Sequence, residues 1–280
     1  MSELFIILLG DDMSMLYTYS DSDLNIGHTY SQVPDQSKFV LHTHPRAELY
    51  YFVRGSGVFH IEGSSYPLQS GDLLLMQSAE SHYIELDKSQ PYERKVLHFD
   101  LNMLSAIDPK GVLRAPFLAR EPGKQNLYKP SQFRGGSCEH YFDTMMTAFA
   151  DPRVSVFAGL IPLLHELCQL QGMSEDVPDP IGYQILRYLN QNLDKRIYLD
   201  DICQKFFISK SQLCRVFRDS TGVTVKQYLT TKRLVQAKQM IDAGALPTHT
   251  YLECGFSDYS SFYRAYVKYY GIPPTGKIDK

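Results

Sequence analysis

Ile208-Ser209-Lys210-Ser211-Gln212-Leu213-Cys214-Arg215-Val216-Phe217-Arg218-Asp219-Ser220-Thr221-Gly222 is the stretch on which the reading of this sequence turns. Ser209-x-x-Gln212 has the spacing of a capping box, in which each side chain satisfies a backbone N–H that the first helical turn leaves without a partner. A helix therefore starts there. Leu213, Val216 and Phe217 fall on its inward face, while Ser211, Cys214, Arg215 and Arg218 share the opposite face at i, i+3, i+4 and i+7. Just upstream, Leu199 to Phe206 makes a short helix, preceded by an amphipathic one over 181–193 with Ile181, Ile185, Tyr188 and Leu189 inward. Short helix, tight turn, and a helix with an exposed polar and basic face make a helix-turn-helix, whose second helix reads base edges in the major groove.

Working outward, Leu213-x-Arg215-x-Phe217-x4-Gly222 returns 49 residues later as Phe262-x-Arg264-x-Tyr266-x4-Gly271. Chance seldom repeats core, charge and terminal glycine together, so this is an internal repeat. In the second copy Phe262 and Tyr266 are core, and Tyr259, Ser260, Tyr263 and Arg264 are left exposed. Between the copies, Thr224-Val225-Lys226-Gln227 is another capping box, opening a helix that runs to about Asp242. Its ~18 residues span roughly 27 Å, a rod able to hold two reading heads about one DNA turn, ~34 Å, apart. Charge agrees. Residues 181–280 carry 15 Lys and Arg against 8 Asp and Glu, whereas residues 1–180 carry 13 against 23. A basic third on an acidic body suits one part facing a polyanion.

With these motifs in place, residues 181–280 resemble the DNA-binding domain of the AraC/XylS family of regulators. The stretches that match are Ile208-Ser209-x3-Leu213-x-Arg215-x-Phe217-x4-Gly222, Arg233-Leu234-x2-Ala237, Cys254-Gly255-Phe256-Ser257-Asp258, Phe262-x-Arg264 and Gly271-Ile272-Pro273-Pro274. The resemblance implies base-facing roles for Ser211, Cys214 and Arg215 in the first reading helix, flanked by Lys210 and Arg218. In the second it implies them for Tyr259, Ser260, Tyr263 and Arg264. Three departures stand out: Phe207 in the first inter-helix turn where Gly or Asn is usual, Thr250-Tyr251 for Ile-Ala, and Lys277-Ile278 for a terminal Tyr-Arg.

Residues 25–101 read differently, as short strands broken by turns: Leu49 to Val53 ends at Arg54-Gly55-Ser56-Gly57, and Val58 to Ile61 ends at Glu62-Gly63. Leu73 to Met76 and Lys95 to Phe99 follow. This spacing indicates a sandwich or barrel. Within it, His42-x-His44-x3-Glu48-x6-Gly55, then Gly71-Asp72 and His82, resembles the two motifs of cupin barrels, where three His and one Glu converge on one ion. Imidazole and carboxylate suit a transition metal, and His42 and His44, two apart on a strand, would face one side. Sensor domains of the AraC type resemble the same stretch and generally bind small organic effectors. On that reading His42, His44, Glu48 and His82 line a pocket for a small polar effector, with a sugar one candidate, and His98 is either a further member or core. The stretch before His82, Ser78-Ala79-Glu80-Ser81, lacks the proline-glycine usual in cupins.

The fold class expected is therefore multidomain. A cupin-like all-β barrel with flanking helices occupies 1–130, a helical segment 131–172, a Pro-bearing linker 173–180, and an all-α domain with two helix-turn-helix units 181–280. In the helical segment Tyr141, Met145 and Phe149 fall four apart, and Leu160, Leu163, Leu164, Leu167 and Leu170 line one face, with Pro162 predicting a kink or a late helix start. The face serves either a dimer contact or the barrel's own cap, and the reading favours a homodimer. Met1 to Leu9 reads as an edge strand rather than a signal peptide, no apolar run approaches a membrane span, and five scattered cysteines fit a reducing, cytoplasmic home. The function expected is an effector-controlled DNA-binding activator of transcription, not an enzyme, without cofactor or metal, with double-stranded DNA and RNA polymerase as partners. The alternative is a metal-dependent cupin enzyme or a metal-sensing regulator.

Overall fold

The computed structural model describes residues 13–147, 151–173 and 181–275. The expected edge strand at Met1 to Leu9, Phe149, nearly all of the linker and Lys277-Ile278 lie outside the described residues. Contacts divide the chain into two units, residues 13–39 with 46–173, and residues 40–45 with 181–275. Each is taken by itself.

The first unit is built on strands β1 (Met13–Ser20), β2 (Leu24–Ser31), β3 (Ala47–Arg54), β4 (Gly57–Ile61), β5 (Ser64–Pro67), β6 (Leu73–Met76), β7 (His82–Leu86), β8 (Tyr92–Phe99) and β9 (Leu127–Tyr128). A six-stranded sheet runs β1-β2-β8-β3-β6-β9 and a three-stranded one β5-β4-β7, with every pairing antiparallel. Successive side chains on a strand point to opposite faces, and here both faces of the large sheet are covered. One face carries Leu24, Ile26, Leu49, Tyr51, Leu97 and Phe99. It packs on α2 (Glu139–Met145) and α3 (Pro152–Leu167) through Phe142, Met145, Leu160 and Leu164. The other face carries Tyr50, Phe52, Leu74, Met76, Tyr92 and Val96, which meet Phe59, Ile61, Ile84 and Leu86 of the small sheet. That second layer is the barrel interior. A single-turn α1 (Ala115–Leu118) adds Phe117, T-shaped against Phe99.

The helical segment thus spends its apolar stripe on its own sheet. Lys95 of β8 adds ion pairs to Glu139 at 3.0 Å and Asp143 at 2.6 Å of α2. Pro162 does not delay α3, which opens ten residues earlier where Asp151 accepts from the Arg153 N–H and Pro152 takes the first turn. The hydrogen bond forgone at Pro162 is set against full burial of Leu160, Leu163 and Leu164.

The second unit holds α4 (Ile181–Asn190), α5 (Leu199–Phe206), α6 (Lys210–Thr221), α7 (Val225–Asp242), α8 (Pro247–Glu253) and α9 (Tyr259–Tyr270). Tyr183, Ile185, Leu186, Leu189, Ile202, Leu213 and Phe217 are buried around α4 to α6, and Leu234, Ala237, Cys254, Phe262 and Tyr266 around α7 to α9. Both reading helices end on a glycine in the left-handed region, Gly222 at φ 74° and Gly271 at φ 72°. Each donates its N–H four residues back at 2.8 Å, a stop that a Cβ would strain.

Gly159 marks the tightest point of the first unit's helical layer, because a Cβ there would stand 2.3 Å from the Tyr141 carbonyl oxygen and 2.6 Å from Met145 Cγ. Gly159→Ala is expected to destabilise the protein by about 1–3 kcal/mol through overpacking. The check is the midpoint of denaturant unfolding, and an unchanged midpoint would mean that α2 and α3 separate at no cost.

Candidate functional site

The first reading head is set by caps at both ends of its turn. Ser209 Oγ accepts from the Gln212 N–H at 3.3 Å, and Gln212 Oε1 accepts from the Ser209 N–H at 2.9 Å. With Leu213 and Phe217 held in the core, Lys210, Ser211, Cys214, Arg215 and Arg218 all stand exposed. Lys210 turns toward α5, where Asp200 pairs with it at 2.7 Å and raises its pKa. Between the helices, Phe207 adopts φ 54° with a side chain 95% exposed. A left-handed conformation costs an L-residue roughly 1–2 kcal/mol, which explains why glycine or asparagine suits such a turn.

The second head has the same plan with different materials. Asp258 Oδ1 accepts from the Ser261 N–H at 2.7 Å, and this hydrogen bond lowers the Asp258 pKa. Ser260, Tyr263 and Arg264 are exposed, but Tyr259 is not: its ring is partly buried, 5.7 Å from Tyr251 and 5.8 Å from Phe262. The bulky Tyr251 is accommodated by this aromatic cluster, and Tyr259 is drawn into it from the face expected to be open. Thr250 is fully buried and donates to the Leu246 carbonyl at 3.0 Å. Arg233 donates to Leu193 O at 3.0 Å and Lys195 O at 2.8 Å, fixing the loop after α4 onto α7.

In the barrel interior Glu48, His82 and His98 come together. Glu48 Oε2 lies 3.0 Å from His82 Nε2 and 3.4 Å from His98 Nε2, and Glu48 sits opposite His98 in the β3–β8 register. His82 Nδ1 donates to Glu80 O at 2.8 Å, which leaves Nε2 directed at the carboxylate. Burial opposes the His82 imidazolium, but the Glu48 carboxylate outweighs it and the pKa is raised. The same distances suit a shared proton or a shared cation. The turn before His82, irregular in sequence, is built around buried Glu80. It accepts two hydrogen bonds from Arg120, both 2.7 Å, and one from the Gly123 N–H at 2.6 Å.

His42 and His44 do not occupy a strand. They lie in the segment 40–45, which groups with the second unit, ring centroids 6.1 Å apart, with His42 exposed and its Nδ1 3.0 Å from Val40 O. Pro45 cannot donate to a ladder, and β3 begins only at Ala47. A further interior residue escaped the sequence reading. Arg94 of β8 is partly buried, its guanidinium carbon 5.3 Å from the Phe39 ring, 5.8 Å from Tyr50 and 5.6 Å from Tyr92. Its signal was available: Tyr92, Arg94, Val96 and His98 alternate on one face.

Sequence comparison assigns both units. Residues 28–129 match the AraC-like ligand binding domain and residues 202–277 a helix-turn-helix domain. The protein is therefore a DNA-binding transcription regulator that carries its own ligand-binding domain. Its matches are thus an AraC-like ligand binding domain followed by a helix-turn-helix domain, and the relatives it resembles are transcriptional regulators. Over 89 residues it is 37% identical to the probable transcriptional regulator LumQ of Photobacterium leiognathi, covering 31% of this chain and 36% of that protein. It is 24% identical over 248 residues to the HTH-type transcriptional activator RhaR of Mannheimia succiniciproducens, covering 86% and 87%. Against the Msm operon regulatory protein of Streptococcus mutans the identity is 23% over 283 residues, covering 94% and 97%. Among the described residues no helix is long and apolar enough to cross a membrane.

The His82–Glu48 contact carries a pH signature. A pKa raised on folding stabilises the native state fully below the ordinary value of 6.5, and that contribution is lost as pH rises through the folded value. Thermal stability of the protein is expected to fall on that rise, and Glu48→Gln to flatten the profile. A native profile already flat across the range would mean that His82 stays neutral.

Proposed function

We propose that this chain is a cytoplasmic, effector-responsive activator of transcription that places α6 and α9 in successive major grooves of double-stranded DNA. The observation that carries the reading is the repeated head: a capped start, two buried core residues, an exposed arginine midway between them, and a left-handed glycine stop, present twice. Ser211, Cys214, Arg215 and Arg218 with Lys210 form the contact surface of the first head. Ser260, Tyr263 and Arg264 with the partly covered Tyr259 form that of the second. Helix α7, 18 residues long, spaces them. In domain terms, residues 1–130 sense the effector, 131–172 brace the barrel, 173–180 link, and 181–280 bind DNA. Activation is the role named for the RhaR relative, and RNA polymerase and a second copy of the chain are the further partners of this reading. The chain acts by binding and not by catalysis.

Arg215→Ala is expected to weaken binding of full-length protein to its specific site by about 1–3 kcal/mol, the worth of one good base contact. Its circular dichroism should be unchanged. Binding of the native protein should weaken steeply with salt, because the basic unit displaces counterions from phosphates. Site affinity unaltered by the substitution at fixed salt would remove Arg215 from the reading head.

For the effector, His42, His44, Glu48 and His82 supply donors and an acceptor for a small polar molecule such as a sugar. Favouring a metal-sensing reading, the Nδ1 bond of His82 presents Nε2 as a metal-ligating histidine does. The Arg94 guanidinium on the same interior face weighs against a dication. Protein prepared without chelators or a metal-binding tag is expected to carry far less than one transition-metal ion per chain. One ion per chain, lost together on His42→Ala, His44→Ala or Glu48→Ala, would reverse the assignment to metal sensing.

A further inference from the structure

The barrel interior holds a cation set among aromatic rings. Arg94 faces inward from β8, opposite Phe52 on β3 and Thr29 on β2. Its neighbours are rings and hydroxyls: Phe39, Tyr50 and Tyr92 around the guanidinium, and Thr29 Oγ1 at 3.4 Å from Nε, a long contact. Among the described residues no carboxylate lies within ion-pair distance of it. This sets Arg94 apart from the other inward or covered arginine and lysine side chains of the unit. Arg120 has Glu80, and Lys95 has Glu139 and Asp143. Glu48, the acidic residue of the same interior face, is already engaged with His82 and His98.

Removing a charge from water without a carboxylate partner is costly, and aromatic faces return only part of that cost. The cage is also pre-set. The Tyr50 and Tyr92 hydroxyls are hydrogen-bonded to each other, Phe39 meets Tyr92 edge-on at 5.4 Å, and Tyr50 meets Phe59 at 4.7 Å. A fixed guanidinium has five N–H donors in a planar fork, matched by the two oxygens of a carboxylate. One such fork with no second cation beside it suits a monoanion better than a phosphate.

Resting on the effector-barrel reading above, we infer that the effector is a small carboxylic acid whose carboxylate is clamped by Arg94 against the Phe39–Tyr50–Tyr92 rings. Its uncharged body then extends toward the Glu48–His82–His98 end, where a hydroxyl or amine finds an acceptor and donors. Val96 separates Arg94 from His98 along the inward face of β8, with Gly27 opposite it on β2, so the middle of the interior is lined by small or apolar groups. The effector is acidic at one end, polar at the other and apolar or flat between.

The test uses full-length protein and three carboxylates with their uncharged counterparts: benzoate and benzamide, hexanoate and hexanamide, galacturonate and galactose. Melting temperature is followed against concentration, and Kd is measured by calorimetry for any compound that shifts it. At least one acid is expected to raise the melting temperature while its neutral counterpart does not. Arg94→Gln should weaken that acid tenfold or more, with Arg94→Lys intermediate. Without ligand, Arg94→Gln should still unfold in one cooperative transition, so that loss of acid binding is read on folded protein. A marked loss of stability in Arg94→Gln, with acid binding retained, would make the residue structural and overturn the inference. Equal shifts by acid and neutral counterpart, in native protein and Arg94→Gln alike, would also overturn it while leaving an effector in the barrel. No shift by any of the six, with DNA affinity unmoved by all, would count against the barrel as effector site and against this inference together.

Discussion

The first unit depends on one constraint: β3 and β8 are buried on both faces, so the parity of each residue decides which of two environments it enters. Odd positions of β8 and β3, such as Leu97, Phe99, Leu49 and Tyr51, join the core beneath α2 and α3. Even positions, Glu48, Tyr50, Arg94 and Val96, enter the barrel. Because the side-chain period is two, a slip of one residue would exchange the sets. Glu48, Arg94 and His98 would then face the helices, and Leu49, Leu97 and Phe99 would fill the interior. The large apolar cluster under α2 and α3 therefore fixes the register, and the register fixes which polar groups converge. The site is a consequence of the core.

Buried charge is handled in two ways across that frame. Glu80 and Arg120 form a bidentate pair with further backbone donors and acceptors, Gly123 N–H on the carboxylate and Leu75 O on the guanidinium. A pair so completely satisfied holds a turn in one conformation; it recruits nothing. That turn ends at His82, so the rigidity of Glu80 is passed directly to the imidazole through the Nδ1 hydrogen bond. The inward groups are treated otherwise. Glu48 shares its oxygen between two imidazoles, and Arg94 has rings in place of an acid. Burial opposes the charge on Arg94, yet its pKa is raised, with the Glu48 carboxylate among the groups that favour the cation. Saturated pairs support the barrel wall, and incompletely neutralised groups line what it encloses.

How much of this was legible in the sequence follows from the range of the forces involved. The reading helices were legible because their determinants are local: Ser209 with Gln212, Thr224 with Gln227, and the stops at Gly222 and Gly271 act within four residues. Strands β3, β4 and β6 and the end of β8 were legible from short apolar runs and turns, whereas β5 and β7 were not read. What failed was set by contacts distant in sequence or by a competing local rule. Tyr259 reads as exposed from helical phase alone, yet Tyr251 on the preceding helix claims its ring. His42 and His44 have the spacing of strand neighbours, but residue 42 makes only an isolated bridge and Pro45 stands before β3, which begins at Ala47. The Glu80–Arg120 pair joins residues 40 apart, and no pattern in either stretch announces it. Arg94 is the instructive case. Its place on the inward face follows from alternation with His98, but that no carboxylate among the described residues lies within ion-pair distance of it is a property of every strand around it. A sequence motif can say which side chains turn inward; only the strands and rings packed around Arg94 say what such a side chain meets once it is there.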